Sequence, residues 1–216
     1  MISKLKSTNC VILLLASFFI GLSLPVTSHG YMEFMDTGEV LDSGKYRLNG
    51  NVQGIFNDFD GFNITGRAAT GVTKDSEVQF EFGLGSIEVQ FTGYFKYVPF
   101  PDTDNQPAIG IRAGGSFARF EGESLFGVHL QPFASKKFDT EYGDFTPYGA
   151  LNLSLVFIDD DSEMPLQLQL GNSWKPENYS NVEFYGELGL NLAKSFNYIS
   201  LGVAVTFDSF SNIQFN

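Results

Sequence analysis

Alternation of bulky apolar and polar residues over most of its length is the feature that most limits how this chain can fold. It is clearest in two runs, 78–84 and 87–97, which flank the dipeptide Gly85-Ser86. A period of two is the side-chain period of a β-strand and differs from that of any helical face. Because glycine suits the first central position of a type II′ turn, the two runs predict a β-hairpin with a two-residue loop.

The two-residue loop also predicts the register of this hairpin. One face would be wholly apolar, with the cross-strand pairs Leu84 and Ile87, Phe82 and Val89, and Phe80 and Phe91. The opposite face would carry Gln79, Glu81, Glu88, Gln90, Thr92 and Lys96. The hairpin is therefore predicted to be a ribbon with one apolar and one polar face.

The same two-sided pattern recurs from Lys45 onward. The strand-like stretches are 45–56, 62–72, 78–84, 87–97, 107–120, 124–136, 146–158, 164–174, 181–193 and 198–208. Consecutive antiparallel strands joined by short turns make a meander, and a meander that closes into a barrel has no exposed edge. The sequence therefore predicts an all-β, antiparallel up-and-down barrel over 45–208 with about ten strands, eight and twelve also being possible.

Alternation alone does not say which face of the sheet points outward. The apolar face is bulky nearly everywhere, whereas the polar face is rich in Gly, Ser, Ala, Asn and Gln and has isolated charges of both signs. The outer face of a soluble barrel would carry many more Lys and Glu residues. A membrane barrel shows bulky residues to lipid and polar residues to its lumen. The composition of the two faces therefore favours a transmembrane barrel.

The first thirty residues have the three parts of a secretory signal peptide. A lysine-containing start precedes an apolar run at 11–24, and small residues follow that would allow cleavage after Ser28 or Gly30. The run is about 14 residues long, shorter than the roughly 20 that a membrane-spanning helix needs. An uncleaved anchor is the alternative. We therefore predict that residues 1–30 are a signal peptide that is removed.

Cysteine content and net charge exclude some classes of protein. The sole cysteine, Cys10, lies in the leader, so the mature chain would form no disulfide. A net charge of −12 offers no electrostatic footprint for nucleic acid. Residues 31–44 are polar and acidic and are predicted to be a flexible periplasmic lead-in, and 209–216 a C-terminal tail.

The last strand carries the only stretch that reads like a motif. Its pattern is Ser200-x-Gly202-x-x-Val205-x-Phe207. This resembles the C-terminal assembly signal of outer-membrane barrels, and with it the chain resembles small bacterial barrels of the OmpA/OmpX-like or Opa-like kind. The resemblance implies a Gram-negative outer membrane, its lipid and lipopolysaccharide as surroundings, and the barrel-assembly machinery as a partner.

The chain departs from that family in two respects. Residues continue past the terminal aromatic residue of the signal, to Asn216. With both termini periplasmic, the short turns at 85–86 and 121–122 would lie outside the cell and the longer 100–107 and 138–144 in the periplasm. Family members normally have short periplasmic turns and long external loops.

Charged residues on the polar face are the first candidates for function. They are Arg47, Arg67, Glu81, Glu88, Lys96, Arg112, Glu183 and Glu187. Charges in a narrow lumen must pair, because an unpaired desolvated charge costs several kcal/mol. They predict a salt-bridge network that plugs the lumen, a narrow path for ions, or a gate that opens when the ion pairs rearrange. A ten-stranded barrel is intermediate between filled and open ones, so size does not decide.

The sequence does not indicate catalysis, a metal or a cofactor. His129 lies on the polar face without an Asp two residues away, so it is predicted to be a hydrogen-bonding residue of the lumen. Of the acidic turns 58–60, 102–105 and 159–163, the second resembles the start of a calcium loop but lacks its glycine and its distal glutamate. All three are therefore predicted to be solvated turns. We therefore expect a monomeric, non-enzymatic protein with a structural or surface-interaction role. The first alternative is a narrow channel for ions or small solutes. The remaining alternatives are a barrel enzyme and a soluble periplasmic binding barrel.

Overall fold

The structure, a computed structural model, describes residues 33–56, 61–120, 122–158, 161–179 and 181–208. The predicted signal peptide and the predicted C-terminal tail lie outside these ranges. The strands are β1 Tyr46–Phe56, β2 Gly61–Thr73, β3 Ser76–Gly85, β4 Val89–Phe100, β5 Ala108–Phe120, β6 Glu123–Ser135, β7 Phe138–Thr140, β8 Gly143–Ile158, β9 Asp161–Glu163, β10 Leu166–Lys175, β11 Val182–Ala193 and β12 Asn197–Phe207.

The strands form one closed antiparallel sheet. β1 pairs with β2 on one side and with β12 on the other, where Tyr46 lies opposite Phe207. β6 and β7 pair with β8 one after the other, as do β9 and β10 on its other side. Twelve strand segments therefore make ten barrel strands, and the predicted ten-stranded up-and-down barrel is confirmed.

The faces of the sheet are oriented as the sequence predicted. Along β1, Arg47, Asn49 and Asn51 are buried, whereas Leu48 and Val52 are exposed. The same inversion holds around the barrel: its outer surface is made of Phe, Leu, Ile and Val side chains, and the lumen holds the polar ones. A water-soluble protein has the opposite distribution. This inversion, with strands of about ten residues, defines a transmembrane β-barrel.

Cross-strand aromatic pairs reinforce the outer surface. Phe82 and Phe91 have ring centroids 5.1 Å apart, and Phe117 and Phe126 have centroids 5.2 Å apart. Such directly opposite aromatic pairs stabilise antiparallel sheets.

In the part of the chain that the structure describes, no helix is long and apolar enough to cross a membrane.

The hairpin between β3 and β4 has a different register from the one predicted. Phe82 pairs with Phe91 rather than with Val89. The reason is that β3 stays paired with β2 as far as Gly85, which lies opposite Asn63, so the loop cannot begin there. The chain therefore bends over residues 86–88, which turns Ile87 into the lumen.

The N-terminal lead-in is not a flexible periplasmic segment where the structure describes it. Residues 33–37 and Leu41 are buried inside the barrel. A turn closed by a hydrogen bond from Lys45 N to Asp42 O (3.1 Å), with Gly44 at a φ of +88°, then leads into β1. The physical reason is that the side chains of ten strands leave the lumen unfilled, and the segment occupies the remaining space.

Candidate functional site: the plugged lumen

Residues 33–41, which we call the plug segment, are held in the lumen by side chains of the barrel wall. The Glu187 carboxylate accepts hydrogen bonds from the main-chain N–H groups of Phe34 (2.9 Å) and Met35 (2.6 Å). The hydroxyl of Tyr198 donates to the same carboxylate at 2.5 Å. One carboxylate therefore accepts hydrogen bonds from two successive main-chain amides that are not paired with a neighbouring strand.

Two arginines bind the carbonyl side of the same stretch. Arg67 Nη1 donates to the carbonyl oxygens of Phe34 (2.8 Å) and Met35 (3.2 Å). Arg112 donates from Nη1 to the Phe34 oxygen (3.1 Å) and from Nη2 to the Glu33 oxygen (2.9 Å). Both sides of the plug main chain are thus bound by charged groups.

These contacts stabilise a bent backbone. Met35 has a φ of +41°, in the left-handed region that residues other than glycine seldom adopt. Such a conformation costs on the order of 1–3 kcal/mol and persists only where the surroundings enforce it. Glu187 on one side and Arg67 on the other are the groups that enforce it here.

Lys96 is the second anchor of the plug segment. Its Nζ lies 3.0 Å from Asp36 Oδ1 and donates to the carbonyl oxygens of Thr37 (3.1 Å) and Glu39 (2.9 Å). It also forms an ion pair with Glu77 at 3.0 Å. Lys96 and Glu77 are completely buried, so this cation has exchanged water entirely for protein oxygens.

Lys96 belongs to a buried cluster of four charged residues. Its acidic members are Asp36 and Glu77, and its basic members are Arg47 and Lys96. Arg47 contacts Glu77 at 3.1 Å and Asp36 at 3.4 Å. Gln79 Nε2 donates to both carboxylates at 2.6 Å, and Glu77 also accepts the N–H of Leu41 at 3.1 Å. The cluster therefore joins the plug segment to β1, β3 and β4.

Phe34 occupies an aromatic pocket of the lumen. Its ring centroid lies 4.9 Å from that of Phe133 and 5.6 Å from that of Tyr148. The Arg112 guanidinium lies 4.6 Å from the Phe34 centroid and 4.1 Å from the Tyr94 centroid. Arg112 therefore binds the plug segment in two ways, by hydrogen bonds to main-chain carbonyl groups and by a cation–π contact with the Phe34 ring.

Glu33 is bound by neutral groups. Its carboxylate accepts hydrogen bonds from Asn51 Nδ2 (2.6 Å) and Ser200 Oγ (3.0 Å), and it contacts the Thr65 hydroxyl. Ser200 belongs to the predicted C-terminal signal, so the last strand also contributes to plug binding.

The rest of that signal divides between the two faces of β12. Gly202 faces the lumen, where an added Cβ would lie 2.1 Å from Asn51 Oδ1 and 2.8 Å from Met35 Cε, so a side chain there would have to displace both. Val205 is exposed on the outer face, and Phe207 stacks on Tyr46 with centroids 6.0 Å apart.

The structure brings most of the predicted lumen charges together. Arg47, Arg67, Lys96, Arg112 and Glu187 all contact the plug segment. Glu81 pairs with Arg67 at 2.7 Å. Glu183 is buried and lines a cavity beside Arg47.

His129 is in the lumen but apart from the charged cluster. Its two ring nitrogens lie 2.7 Å from Ser116 Oγ and 2.7 Å from Ser154 Oγ. Ser154 in turn donates to Asn152 at 3.1 Å. His129 is therefore a hydrogen-bonding residue of the lumen, as the sequence predicted, and its two partners are neutral hydroxyl groups.

Glu88 is not a lumen residue, and that prediction is wrong. Its carboxylate is half exposed and pairs with Arg119 at 3.2 Å outside the barrel. The bend over residues 86–88 reverses the side of the sheet on which it lies.

Sequence reasoning missed the acidic partners of the network. Asp36 and Glu33 belong to the lead-in, which has no alternation and is predicted from the sequence to be flexible. Glu77 does share its parity with Gln79 and Glu81 on the polar face of β3, so its position in the pattern was the signal that could have found it.

The two ends of the lumen differ. At the end where β1 begins and β12 ends, cavities of about 270 and 310 Å³ lie beside the plug segment. Towards the other end, Ile55, Ile87, Phe196 and Tyr198 form a buried apolar cluster. A second cluster there contains Ala118, Leu125 and Val156. Between Glu33 and that end the cavity is only about 10 Å³.

Of the three acidic turns, 102–105 lies entirely within the described residues. Asp102 pairs with Lys136 at 2.6 Å, and turns 58–60 and 159–163 lie wholly or partly outside the described residues. Outside the membrane span, a hydrogen bond from Lys137 to Asp144 (2.9 Å) raises the pKa of the lysine. Within the described ranges, no group of three or more His, Cys, Asp or Glu side chains is arranged to hold a metal ion.

The chain is similar to several solved protein structures. Neither a protein-family model nor a curated protein sequence matches the chain. A de novo designed transmembrane β-barrel is 12% identical with a TM-score of 0.40, over 78% of this chain and 99% of the other. An outer membrane channel from Pseudomonas putida F1 is 9% identical with a TM-score of 0.48, over 82% and 100%.

The translocator domain of the autotransporter NalP from Neisseria meningitidis is 12% identical with a TM-score of 0.37, over 95% of this chain and 97% of the other. Likenesses at these values assign no role. The OmpA/OmpX-like or Opa-like resemblance therefore stays a prediction, and the membrane assignment rests on the distribution of residues over the two faces of the barrel.

Two glutamates of the β3–β4 hairpin, one in the lumen and one outside it, provide a test of this arrangement. We expect Glu81→Gln to destabilise the barrel strongly, because it leaves the buried Arg67 without its ion pair. Glu88→Gln should change stability by about 1 kcal/mol at most, because its partner is exposed. Urea unfolding of both variants in lipid vesicles would measure the difference. Equal effects would mean that both acids face the same surroundings.

Proposed function

We propose that the chain is a monomeric, non-enzymatic β-barrel of a bacterial outer membrane that is closed at rest and has a structural or surface-interaction role. The proposal includes removal of the signal peptide, insertion by the barrel-assembly machinery, and a surface in contact with lipid and lipopolysaccharide. The supporting observation is a lumen occupied along its length, by the plug segment in one half and by apolar clusters in the other.

A narrow channel that opens when the plug segment leaves is the second candidate. One observation favours it: along 33–41 the main chain is held by side chains rather than by pairing with a neighbouring strand. Release of the segment would therefore leave every pair of barrel strands intact. The cavities beside the plug segment, at the end where β1 begins and β12 ends, offer room for such a movement.

A disulfide lock distinguishes the two candidates. A Cβ added to Gly38 would lie 3.0 Å from Ser135 Oγ, about the separation between one Cβ and the far sulfur in a disulfide. It would also lie 2.2 Å from the Ala108 Cβ, so that methyl group must be removed. The lock variant is therefore Gly38→Cys, Ala108→Gly and Ser135→Cys, with Cys10→Ser.

We expect the wild type and the lock variant to be silent in planar bilayers, both oxidised and reduced. Openings that appear in the lock variant only after reduction would establish the gated channel instead. Openings in both redox states would show that the plug segment does not close the lumen. Ala108→Gly alone is the matched control for the extra space.

A further inference from the structure

We infer that the lumen is a peptide-binding site, which residues 33–38 occupy as an internal ligand, and that it takes a segment of another polypeptide with the same chemistry. That segment would read acid, aromatic, apolar, acid, any residue, glycine. The inference deepens the proposed interaction role and rests on it.

The first support is that the wall binds main chain. Glu187 accepts two successive amides of the plug segment, and Arg67 and Arg112 donate to its successive carbonyl groups. Lys96 donates to two further carbonyl groups. These groups of the plug are present in every polypeptide, so they supply affinity without depending on sequence.

The second support is a set of selective pockets. The acid at the first position meets Asn51 and Ser200, and the acid at the fourth meets Lys96. The aromatic ring at the second position lies between Phe133 and Tyr148.

The third and sixth positions are limited by space and polarity. The Met35 side chain lies against Tyr148, whose hydroxyl is 3.8 Å from its sulfur, so an apolar residue fits there. A Cβ at Gly38 would lie 2.2 Å from the Ala108 Cβ, so the sixth residue must be glycine.

The side of access is the end of the barrel where β1 begins and β12 ends. The cavities of about 270 and 310 Å³ open there, beside the plug segment. The opposite half is closed by apolar side chains. A polypeptide therefore approaches from the end where β1 begins and β12 ends.

The internal ligand competes with any external one. A tethered segment acts at an effective concentration of about a millimolar or more, so an external peptide must be tested against a weakened plug. Phe34→Ala empties the aromatic pocket and leaves the barrel wall unchanged. Met35→Ala is the second choice if that variant lacks the gel mobility of a folded barrel.

The experiment measures binding of a dye-labelled, acetylated peptide of residues 33–41 to the full-length variant in lipid vesicles. We expect saturable binding at least about tenfold tighter to Phe34→Ala than to wild type, because the internal ligand is weakened. A matched peptide with Phe34→Ala and Asp36→Asn should bind at least about tenfold more weakly than the parent peptide, because it lacks the aromatic ring and one charge.

Photocrosslinking then locates the peptide. With a photoreactive phenylalanine at its second position, we expect crosslinks to Phe133 or Tyr148. Equal binding of both peptides, or crosslinks only to the outer face and the loops, would overturn the inference. Failure here leaves the bilayer result unchanged, so the proposed function is judged separately.

Discussion

Replacing Lys96 with methionine is expected to lower the free energy of unfolding by about 3–5 kcal/mol, the cost of breaking a buried ion pair. Lys96 is completely buried and lies 3.0 Å from both Asp36 and Glu77. Without the Lys96 ammonium group, the buried carboxylates of Asp36 and Glu77 lose a positively charged partner. The carbonyl oxygens of Thr37 and Glu39 lose a hydrogen-bond donor. Denaturant unfolding in lipid vesicles is the measurement.

A double-mutant cycle shows whether the loss comes from the plug contact. Lys96→Met combined with Asp36→Asn should recover part of the loss, with a coupling free energy of about 1–3 kcal/mol. Lys137→Met is the surface control, because that lysine is itself half exposed and should contribute about 1 kcal/mol at most. A Lys96→Met loss no larger than that of the control would contradict a buried cluster.

Replacing Leu201 with arginine is expected to cost about 2–4 kcal/mol, because the position faces lipid near the middle of the membrane. Leu201 is 59% exposed in the centre of β12, opposite Val52 of β1. An arginine there has neither water nor an acidic partner. The yield of folded protein after insertion into vesicles, and its unfolding free energy, are the measurements.

Depth in the membrane provides the matched control. Val72 is also exposed on the outer face, but it lies one residue from the end of β2. Arginine near the interface costs about 0–1 kcal/mol, so Val72→Arg should insert nearly as well as the wild type. If the two arginine variants behaved alike, the outer face would be in water rather than lipid.

The fold was predictable because each strand carries its own evidence. Along β1, the alternation of Arg47, Leu48 and Asn49 already separates lumen from lipid, and the same pattern repeats in every barrel strand. Strand order followed from short connections. What the pattern could not show was local: the bend that moves Glu88 outward depends on pairing between β2 and β3, which alternation does not encode.

The site was only half predictable. The wall charges Arg67, Lys96 and Arg112 stand out because charges are rare on these strands. Their partner is not a strand, however, and the lead-in that contains Asp36 has no period to read. Its conformation depends on contacts with the barrel wall, which hold Met35 at a positive φ. Its position is therefore a property of the closed barrel rather than of the local sequence.

The most direct test of the central claim is formation of the lock between positions 38 and 135 in isolated outer membranes. We expect the lock variant to form this disulfide without added oxidant, closing a loop between residues 97 positions apart. The change should be seen as a mobility shift on a non-reducing gel. In the matched control the second cysteine replaces Ala134, the neighbouring residue on the outer face, and the bond should not form. Equal crosslinking at both positions, or none at 135, would show that the N-terminal segment does not lie inside the barrel.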